Sequence, residues 1–553
     1  MYTHKKHLPF ILFLILFGFW SLKSIFQPGM MQTHDALWQV QRATAMFESL
    51  RQGQFPVRWV YDLDNGYGTP LFNFIYPGPY YLSSLFMAFG VVNITAIKII
   101  TILAYLAGGL GIYYFFRKHR LVALVSAVLY LLTPYQLVNI FVRGALGESL
   151  VIGLAPWIFV SLNAFKDRPL RWYDPLPLAA SLLSHNFLGL LVSCMAFVYG
   201  LCLGVGRRTL ALFLLAFSLS AFFLIPMIFE RGELLSSATD NYTFVWSDHF
   251  VYPHQLLYSK WDYWYSMPGD VQDGMTFQLG FANIIVIVLF LVYLLTHFQK
   301  LKSSARLIYS YYIFATFLLL LLIIPKGRFL WELFPILQTM QFPWRLLGLV
   351  TIIVGLITGT LLSLRVKKHR LSTLIFSFTL LSLAFINTRN YNRPMKVLTP
   401  EEFRVQNDLY AGKTTTSIRS EVVPRYAPVE RYQPTSLRLF NPRLGILEGN
   451  AEINSATDRK GNLTFQATAE NERAWVVYYH NYYPSWQATV DGVNIPLVPT
   501  ETGEISLPLL EGVHEYKIYQ TSTPLAQLGN LISLSALLII ITISIFSLRS
   551  RYF

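Results

Sequence analysis

Charge is the scarcest property of this 553-residue sequence. Asp, Glu, Lys and Arg make up 13% of it, whereas an ordinary soluble domain carries about 25%. Hydrophobic residues reach 54% and aromatic residues 16%, so there are too few polar side chains to cover the surface of a soluble protein of this size. The composition excludes an ordinary soluble globular protein and predicts that lipid covers much of the surface.

Cysteine is nearly absent, and nucleotide-binding and metal-binding motifs are missing. Cys194 and Cys202 both lie in an apolar stretch, which excludes a disulfide framework and a cysteine metal site. No P-loop, dinucleotide fingerprint or clustered His/Cys site is present. The net charge of +14 would suit a nucleic-acid binder, but many basic residues form short clusters between apolar runs. Such clusters are typical of membrane anchors, so we expect no nucleic-acid partner.

Long apolar runs are plentiful. A bilayer core of about 30 Å needs about 20 apolar residues per helix. The runs that meet this length or come close to it are 8–26, 94–116, 121–142, 150–165, 209–229, 278–297, 307–324, 345–364, 371–387 and 527–548. The run 176–205 is interrupted by Leu183-Ser184-His185-Asn186 and predicts two short helices meeting at a polar apex. We therefore predict a polytopic α-helical membrane protein of about 12 helices.

The basic clusters predict the orientation of these helices. With Lys5 and Lys6 on the cytoplasmic side, all clusters between spans fall on that side if 176–205 is a hairpin or re-entrant pair. This places both termini in the cytoplasm of a multi-pass plasma-membrane protein. Residues 1–387 then form the transmembrane domain, and 527–553 form a last helix with a basic tail. The predicted outer segments are 27–93, 143–149, 230–277, 325–344 and 388–526.

The outer segment 388–526 is too long and too polar to be a simple connection. We predict a connecting segment over 388–434 and an extracytoplasmic β-sandwich over 435–526. The runs 475–479, 486–490 and 514–519 have strand composition, and Asp491-Gly492 is a hairpin-turn signal. The aromatic rings of these strands suit either sugar stacking or a β-domain core.

The first outer segment opens with His34-Asp35, continues with helical character to Gln52 and ends in a ribbon rich in Gly, Pro and aromatic residues. Two interpretations of Asp35 are compatible. It caps the following helix by accepting from backbone N–H groups, or it takes a proton from an acceptor hydroxyl as a general base.

Several charged residues stand at predicted outer helix ends. Arg143, Glu148 and Arg345 are interface anchors, or the two arginines bind a phosphate through their forked guanidinium groups. Arg58 either sits among the lipid headgroups or joins the two arginines as a phosphate ligand. His185, at the apex of the broken pair, is either hydrogen-bonded between helices or lines a cavity.

The outer segment 230–277 mixes carboxylates with Trp246, Trp261 and Trp264. This composition suits a sugar or acceptor surface, and equally a solvated loop with interfacial tryptophans. His249 and His254 lack a metal-ligand spacing on a helix, so no zinc site is predicted.

The His34-Asp35 pair after the first helix, the helical stretch behind it and the Gly66-Tyr67-Gly68-Thr69-Pro70 ribbon resemble the GT-C superfamily of membrane glycosyltransferases. Further motifs are similar to its YfhO-like branch. They are Arg143-Gly144-Ala145-Leu146-Gly147-Glu148, Leu183-Ser184-His185-Asn186, Gln341-Phe342-Pro343-Trp344-Arg345, Thr414-Thr415-Thr416 with Glu421-Val422-Val423-Pro424, and Tyr483-Pro484-Ser485-Trp486 with Asp491-Gly492.

This resemblance implies a GT-C-like fold and a sugar transfer, with Asp35 as catalytic base. The donor would be a polyprenyl-phosphate-linked sugar, and the acceptor a cell-envelope polymer, glycolipid or protein. The expected substrate-binding residues are His34, Arg58, Arg143, Glu148, His185 and Arg345. A divalent metal ion stays open, with Asp35, Asp62, Asp64 and Glu148 as candidate ligands, because a hard cation needs several oxygens.

Two other functions fit the same residues. A transporter or flippase of lipid-linked saccharides would use His185 and the broken pair 176–205 as a midplane site. A non-catalytic envelope scaffold would bind polymer through the β domain and would not need Asp35 or Arg345.

Overall fold

A bundle of apolar helices makes up most of the chain before residue 389. The computed structural model describes residues 6–64, 66–235, 245–270, 274–366, 369–404, 422–428, 443–459 and 461–549, with backbone only for 546–549. Its α-helices are Leu8–Ser21, Ala36–Arg51, Leu71–Phe74, Gly78–Ala88, Asn93–Phe115, Arg120–Leu131, Pro134–Val138, Leu146–Ala164, Leu176–Ser184, Asn186–Cys202, Gly206–Leu219, Ala221–Phe229, Pro253–Leu257, Phe281–His297, Ser303–Ile323, Arg328–Leu333, Leu347–Val366, Arg370–Thr388 and Pro524–Arg549. A π-helical turn spans Asn139–Arg143. The 3-10 segments are Lys23–Phe26, Arg231–Glu233, Trp246–Asp248, Phe298–Lys300, Pro325–Gly327, Pro335–Met340 and Pro343–Leu346.

The helices confirm a polytopic α-helical membrane protein. Within the described residues, seven helices are long and apolar enough to cross a membrane, or nine when each of two bent pairs counts as one span. The remaining predicted spans contain shorter apolar helices, Leu8–Ser21 in the run 8–26 and Asn186–Cys202 in the run 176–205. The difference from about 12 helices arises where bends and short helices interrupt the predicted spans.

Three breaks shape the bundle. The chain bends by 48° at Thr133-Pro134, where proline removes a backbone donor, and by 75° at Ser220. At His185 the backbone is extended, with φ −158° and ψ 122°. A Cβ atom added to Gly189 would lie 2.6 Å from the carbonyl oxygen of Ser181, so the chain turns sharply between the two helices. The two short helices predicted to meet at this polar apex are present as Leu176–Ser184 and Asn186–Cys202.

Helix Leu146–Ala164 packs closely against its neighbours because small residues line the contacts. A Cβ on Gly153 would lie 2.2 Å from the Ala104 carbonyl oxygen, and one on Gly147 would lie 2.3 Å from the Ser184 carbonyl oxygen. Small residues allow helix backbones to approach in this way within membranes. The close packing fixes the first turn of this helix, which carries Glu148, against the His185 break.

Two antiparallel sheets form the C-terminal β domain, and a short two-stranded sheet lies between the bundle and the chain after residue 388. The strands β1 to β11 are Met30–Met31, Val397–Leu398, Leu444–Glu448, Ala451–Asp458, Asn462–Ala469, Trp475–Asn481, Trp486–Val490, Val493–Ile495, Val498–Pro499, Glu504–Pro508 and Gly512–Gln520. β1 pairs with β2, and the larger sheets have the orders β3-β6-β10-β9 and β4-β5-β11-β7-β8.

The two larger sheets share one apolar core, as in a β-sandwich. Tyr478 of β6 meets Trp486 of β7 edge-on at 5.9 Å between ring centroids. Tyr478 is 0% exposed and Trp486 is 4% exposed, so these predicted strand aromatics form the β core rather than a sugar-stacking surface. Asp491 and Gly492 have φ values of +48° and +84°, which confirms the predicted hairpin turn between β7 and β8.

The β domain is docked on the ribbon of the first outer segment. The Asn481 side chain donates to Asp64 Oδ2 at 2.6 Å and to the Gly68 carbonyl at 2.7 Å. Trp59 meets Trp486 edge-on at 5.7 Å. The ribbon therefore packs against the β core.

Candidate functional site

A buried carboxylate, Glu148, organises the most polar part of the bundle. Arg143 grips it in a fork, with Nη1 2.6 Å from Oε2 and Nη2 2.7 Å from Oε1. The Tyr135 hydroxyl donates to Oε2 at 3.0 Å. Arg143 is 4% exposed and Glu148 is 2% exposed, so the pair is a buried ion pair, and the anchor interpretation of Arg143 is wrong.

The turn before Glu148 explains how Arg143 reaches it. The wide turn Asn139–Arg143 lets the Asn139 side chain accept from Arg143 Nη1 at 2.6 Å. Gly144 follows with φ +64°, and a Cβ there would lie 2.1 Å from Thr33 Oγ1. Glycine therefore lets the chain turn back and leaves room for the first outer segment. Glu148 lies in the first turn of its helix, where the helix dipole favours a negative charge.

Arg345 brings a second guanidinium to the same carboxylate. Its Nε lies 3.3 Å from Glu148 Oε1, and its Nη1 donates to the Met340 carbonyl at 3.2 Å. Aromatic rings support both cations, with Arg143 over Trp344 at 4.6 Å and Arg345 over Phe342 at 5.0 Å. The Arg345 side chain remains 20% exposed, whereas Arg143 is sealed.

His185 belongs to this assembly as well. Its Nδ1 accepts from the backbone N–H groups of Phe187 and Leu188, at 3.3 and 3.2 Å, and so caps helix Asn186–Cys202. In the neutral ring the proton then lies on Nε2, which is 3.8 Å from Glu148 Oε1. Tyr76 stacks on the ring at 5.4 Å. We call Tyr135, Arg143, Glu148, His185 and Arg345 the Glu148 cluster. A transport site centred on His185 would coincide with it.

The first outer segment lies directly on this cluster. The His34 N–H donates to the Val142 carbonyl at 3.0 Å, and the Asp35 N–H donates to the Arg143 carbonyl at 2.9 Å. The Asp35 side chain makes no capping hydrogen bond to helix Ala36–Arg51, so the N-cap prediction is wrong. Its backbone, at φ −107° and ψ −2°, departs from the extended conformation of a capping residue.

His34 holds an outer loop against Asp35. Its Nε2 lies 3.2 Å from the Tyr263 carbonyl, and its ring stacks on Tyr265 at 4.4 Å. Burial lowers the pKa of His34, while the neighbouring Asp35 raises it and Arg143 lowers it. Because the Tyr263 carbonyl can only accept, His34 Nε2 carries a proton and donates it to the loop. In this structure His34 contacts the outer loop, and its predicted substrate-binding role stays a prediction.

The same loop returns to the arginines through Ser266. The Ser266 hydroxyl lies 3.0 Å from His249 Nδ1, and it accepts from Trp344 Nε1 at 3.1 Å. Because Trp344 supports Arg143, the loop bridges Asp35 and the Glu148 cluster. The sequence analysis does not single out Ser266 or Tyr265. Only the aromatic content of the outer segment 230–277 indicated that this loop could belong to a site.

The four candidate metal ligands do not come together. Asp64 is fully buried at the β-domain joint, Asp62 is exposed on the ribbon, and Glu148 is held by guanidinium groups. Within the described ranges, no group of three or more His, Cys, Asp or Glu side chains could hold a metal ion. The structure thus does not assemble the predicted set of ligands.

Arg58 lies in a second buried cluster beneath the β domain. It donates to the Asn73 side chain at 2.9 Å, the Phe222 carbonyl at 2.9 Å and the Asn530 side chain at 2.8 Å. Glu230 accepts there from Asn73, from Thr523 and from the Tyr483 hydroxyl at 2.5 Å. We call Arg58, Asn73, Glu230, Tyr483, Thr523 and Asn530 the Glu230 cluster. It joins the ribbon, the bundle and the β domain.

One predicted motif is only partly visible. Thr414-Thr415-Thr416 and Glu421 lie outside the described residues. The Val422 carbonyl accepts from Thr69 Oγ1 at 2.8 Å, which attaches the end of this motif to the ribbon.

Comparisons with known proteins give a family and a distant structural likeness. Residues 72–391 match the family described as "6-pyruvoyl-tetrahydropterin synthase related domain; membrane protein". No curated protein matches the chain. Among solved structures, the "Single-Particle Cryo-EM Structure of Arabinofuranosyltransferase AftD from Mycobacteria" is similar to 71% of this chain, with 14% identity and a TM-score of 0.44. The similar region covers 27% of that chain.

Proposed function

The chain belongs to the 6-pyruvoyl-tetrahydropterin synthase related family of membrane proteins, and for this member we propose sugar transfer from a polyprenyl-phosphate donor to a cell-envelope acceptor. The observation that carries the proposal is the convergence of Arg143 and Arg345 on Glu148, beneath the turn that holds Asp35. The motif resemblance to GT-C glycosyltransferases supports the same reaction.

The charges of the cluster suit a phosphate diester. Two guanidinium groups face one carboxylate within the Glu148 cluster, and the nearby Asp35 carboxylate balances the second guanidinium until it takes up a proton. A sugar linked to a polyprenyl phosphate carries one negative charge and gains another when the phosphate leaves. Arg345 is the phosphate ligand in this proposal, because its side chain is 20% exposed. Arg143 is fully engaged by its partners and holds Glu148 in place.

The proposed reaction inverts the anomeric carbon. Asp35 takes the proton of the acceptor hydroxyl, and the acceptor oxygen forms a bond to that carbon from the face opposite the phosphate. The bond between the carbon and the phosphate oxygen breaks, and its electron pair leaves with the polyprenyl phosphate. Arg345 stabilises the negative charge that develops on the leaving group. The protonated Asp35 then returns its proton to water.

The test is an Asp35→Asn variant reconstituted in liposomes with radiolabelled polyprenyl-phosphate pentoses and hexoses, and envelope extract as acceptor. Loss of a general base lowers rates by about 10²–10⁴-fold, so we expect transfer to fall by at least 100-fold. Asp62→Asn, an exposed carboxylate of the same segment, is the matched control and should transfer normally. Full transfer by a folded Asp35→Asn protein would show that Asp35 is not the base.

A further inference from the structure

An exposed tyrosine stands beside the proposed base. Tyr265 stacks on His34 with 4.4 Å between ring centroids and 25° between ring planes. Its side chain is nevertheless 46% exposed, so His34 supports one side of the ring while a large part of the ring surface meets solvent. Burial and the nearby Asp35 charge raise the pKa of Tyr265, so its hydroxyl stays neutral.

The loop that carries Tyr265 is fixed at both ends. At one end, Ser259 is buried, its carbonyl accepts from Thr276 Oγ1 at 2.9 Å, and its hydroxyl accepts from the Phe277 N–H at 2.7 Å. At the other end, the Ser266 hydroxyl accepts a hydrogen bond from Trp344 Nε1. Between them, the Trp264 N–H donates to the Gly274 carbonyl at 2.9 Å. The ring is therefore held in place before any ligand arrives, which reduces the entropy lost on binding.

A rigid, half-open aromatic ring suits one class of ligand next to a general base. The C–H face of a sugar ring is apolar and slightly positive, and it packs on the negative face of an aromatic ring while the sugar hydroxyls stay at the edge. A serine or threonine side chain of a protein acceptor has no such face. A sugar stacked on Tyr265 would hold its hydroxyls at the ring edge in the neighbourhood of Asp35, whose charge acts on Tyr265.

We propose that Tyr265 is the stacking platform for the acceptor, and that the acceptor hydroxyl belongs to a glycan rather than to a protein side chain. This proposal rests on the proposed function, because it assigns the acceptor of the same reaction. Tyr265 binds the acceptor sugar, His34 supports the platform from behind, and Asp35 receives the proton.

The first experiment separates acceptor binding from the chemical step. Tyr265→Ala and Tyr265→Leu should raise the KM for oligosaccharide acceptors by about tenfold, because they lose the aromatic face. The kcat and the donor KM should change little. Tyr265→Phe and Tyr265→Trp should stay within about twofold of the wild type. Tyr258→Ala, which removes another exposed tyrosine of the same outer segment, is the matched control. Unchanged acceptor KM values in both Ala and Leu variants, or equal use of a serine peptide as acceptor, would overturn the proposal.

The second experiment does not depend on catalysis. Saturation-transfer NMR with methyl glycosides of pentofuranose and hexopyranose trisaccharides is measured on the Asp35→Asn protein, with and without Tyr265→Leu. We expect ring C–H signals from one sugar type that disappear in the Tyr265→Leu variant. Signals independent of Tyr265 would contradict the platform even if Asp35-dependent transfer holds. Signals that require Tyr265 would support it even if Asp35→Asn retained full transfer.

Discussion

Glu148 and Glu230 are both buried glutamates at the ends of helices, yet their surroundings differ in kind. Glu148 stands in the first turn of its helix, where the dipole favours a carboxylate, and it still receives two guanidinium groups. Glu230 follows the last residue of helix Ala221–Phe229, where the dipole disfavours a negative charge, and it is held by hydroxyl and amide donors.

We propose that the Glu148 cluster is a ligand-binding site and that the Glu230 cluster is a structural joint. The Glu148 cluster contains two guanidinium groups and one carboxylate, and the Arg345 side chain is 20% exposed. In the Glu230 cluster, Tyr483, Thr523 and Asn73 belong to three separate parts of the chain, and all are buried. Burial and Glu230 raise the pKa of Tyr483, so this tyrosine remains a donor. The two clusters therefore differ in charge balance, because the Glu230 cluster pairs one guanidinium with one carboxylate.

The largest expected effect comes from removing the carboxylate between the arginines. Glu148→Ala leaves Arg143 buried without its main partner, and breaking a buried pair costs about 3–5 kcal/mol. We expect a much lower midpoint of thermal unfolding in detergent and poor expression. Glu332→Ala is the matched control, because its pair with Arg328 is exposed and such pairs contribute about 0–1 kcal/mol. Equal unfolding of the two variants would contradict the role of Glu148.

A smaller effect is expected at the joint. Tyr483→Phe removes a hydrogen bond to a buried carboxylate, worth about 1.5–3 kcal/mol. Hydrogen exchange should increase in residues 481–486 and 523–530, while donor affinity stays at the wild-type level. Tyr482→Phe, whose ring meets Tyr426 edge-on, should have almost no effect. A loss of donor affinity in Tyr483→Phe would mean that the two clusters are not distinct.

The smallest effect is expected from the helix cap at His185. His185→Ala should lower the free energy of unfolding by about 0.5–2 kcal/mol, because two backbone N–H groups lose their acceptor. Asn is a good capping residue, so His185→Asn should recover most of this loss. Urea unfolding in mild detergent would measure both variants. Equal losses in both would show that the ring serves Glu148 rather than the helix.

Some of this arrangement was predictable because it depends on local sequence. Apolar length located the spans, and Asp491-Gly492 located a hairpin turn. Arg143, Glu148, His185 and Arg345 drew attention because ionisable groups beside apolar runs are unusual. Their meeting at one carboxylate was not predictable, since it requires the wide turn Asn139–Arg143 and the left-handed Gly144.

Residues with distant partners were harder to interpret. The sequence predicts Arg58 among headgroups or with the phosphate ligands, but Arg58 donates to Asn530, which lies 472 positions away in the chain. Asp64 was a candidate metal ligand, but its partner Asn481 lies 417 positions away. Neither separation leaves a periodic signal in the sequence. The sequence predicts two roles for Asp35, a helix cap and a general base. The structure contradicts the cap, because the side chain makes no capping hydrogen bond. The role as general base stays a prediction.

The central claim is that Arg345 of the Glu148 cluster binds a donor phosphate. The direct measurement is the Kd of the purified protein for a polyprenyl phosphate, followed by tryptophan fluorescence, in Arg345→Gln and in the exposed control Arg328→Gln. A charge-assisted hydrogen bond is worth about 1.5–3 kcal/mol, so we expect Arg345→Gln to raise the Kd by about tenfold or more. Arg328→Gln should leave it unchanged. Equal Kd values for folded wild-type and Arg345→Gln proteins would contradict the claim.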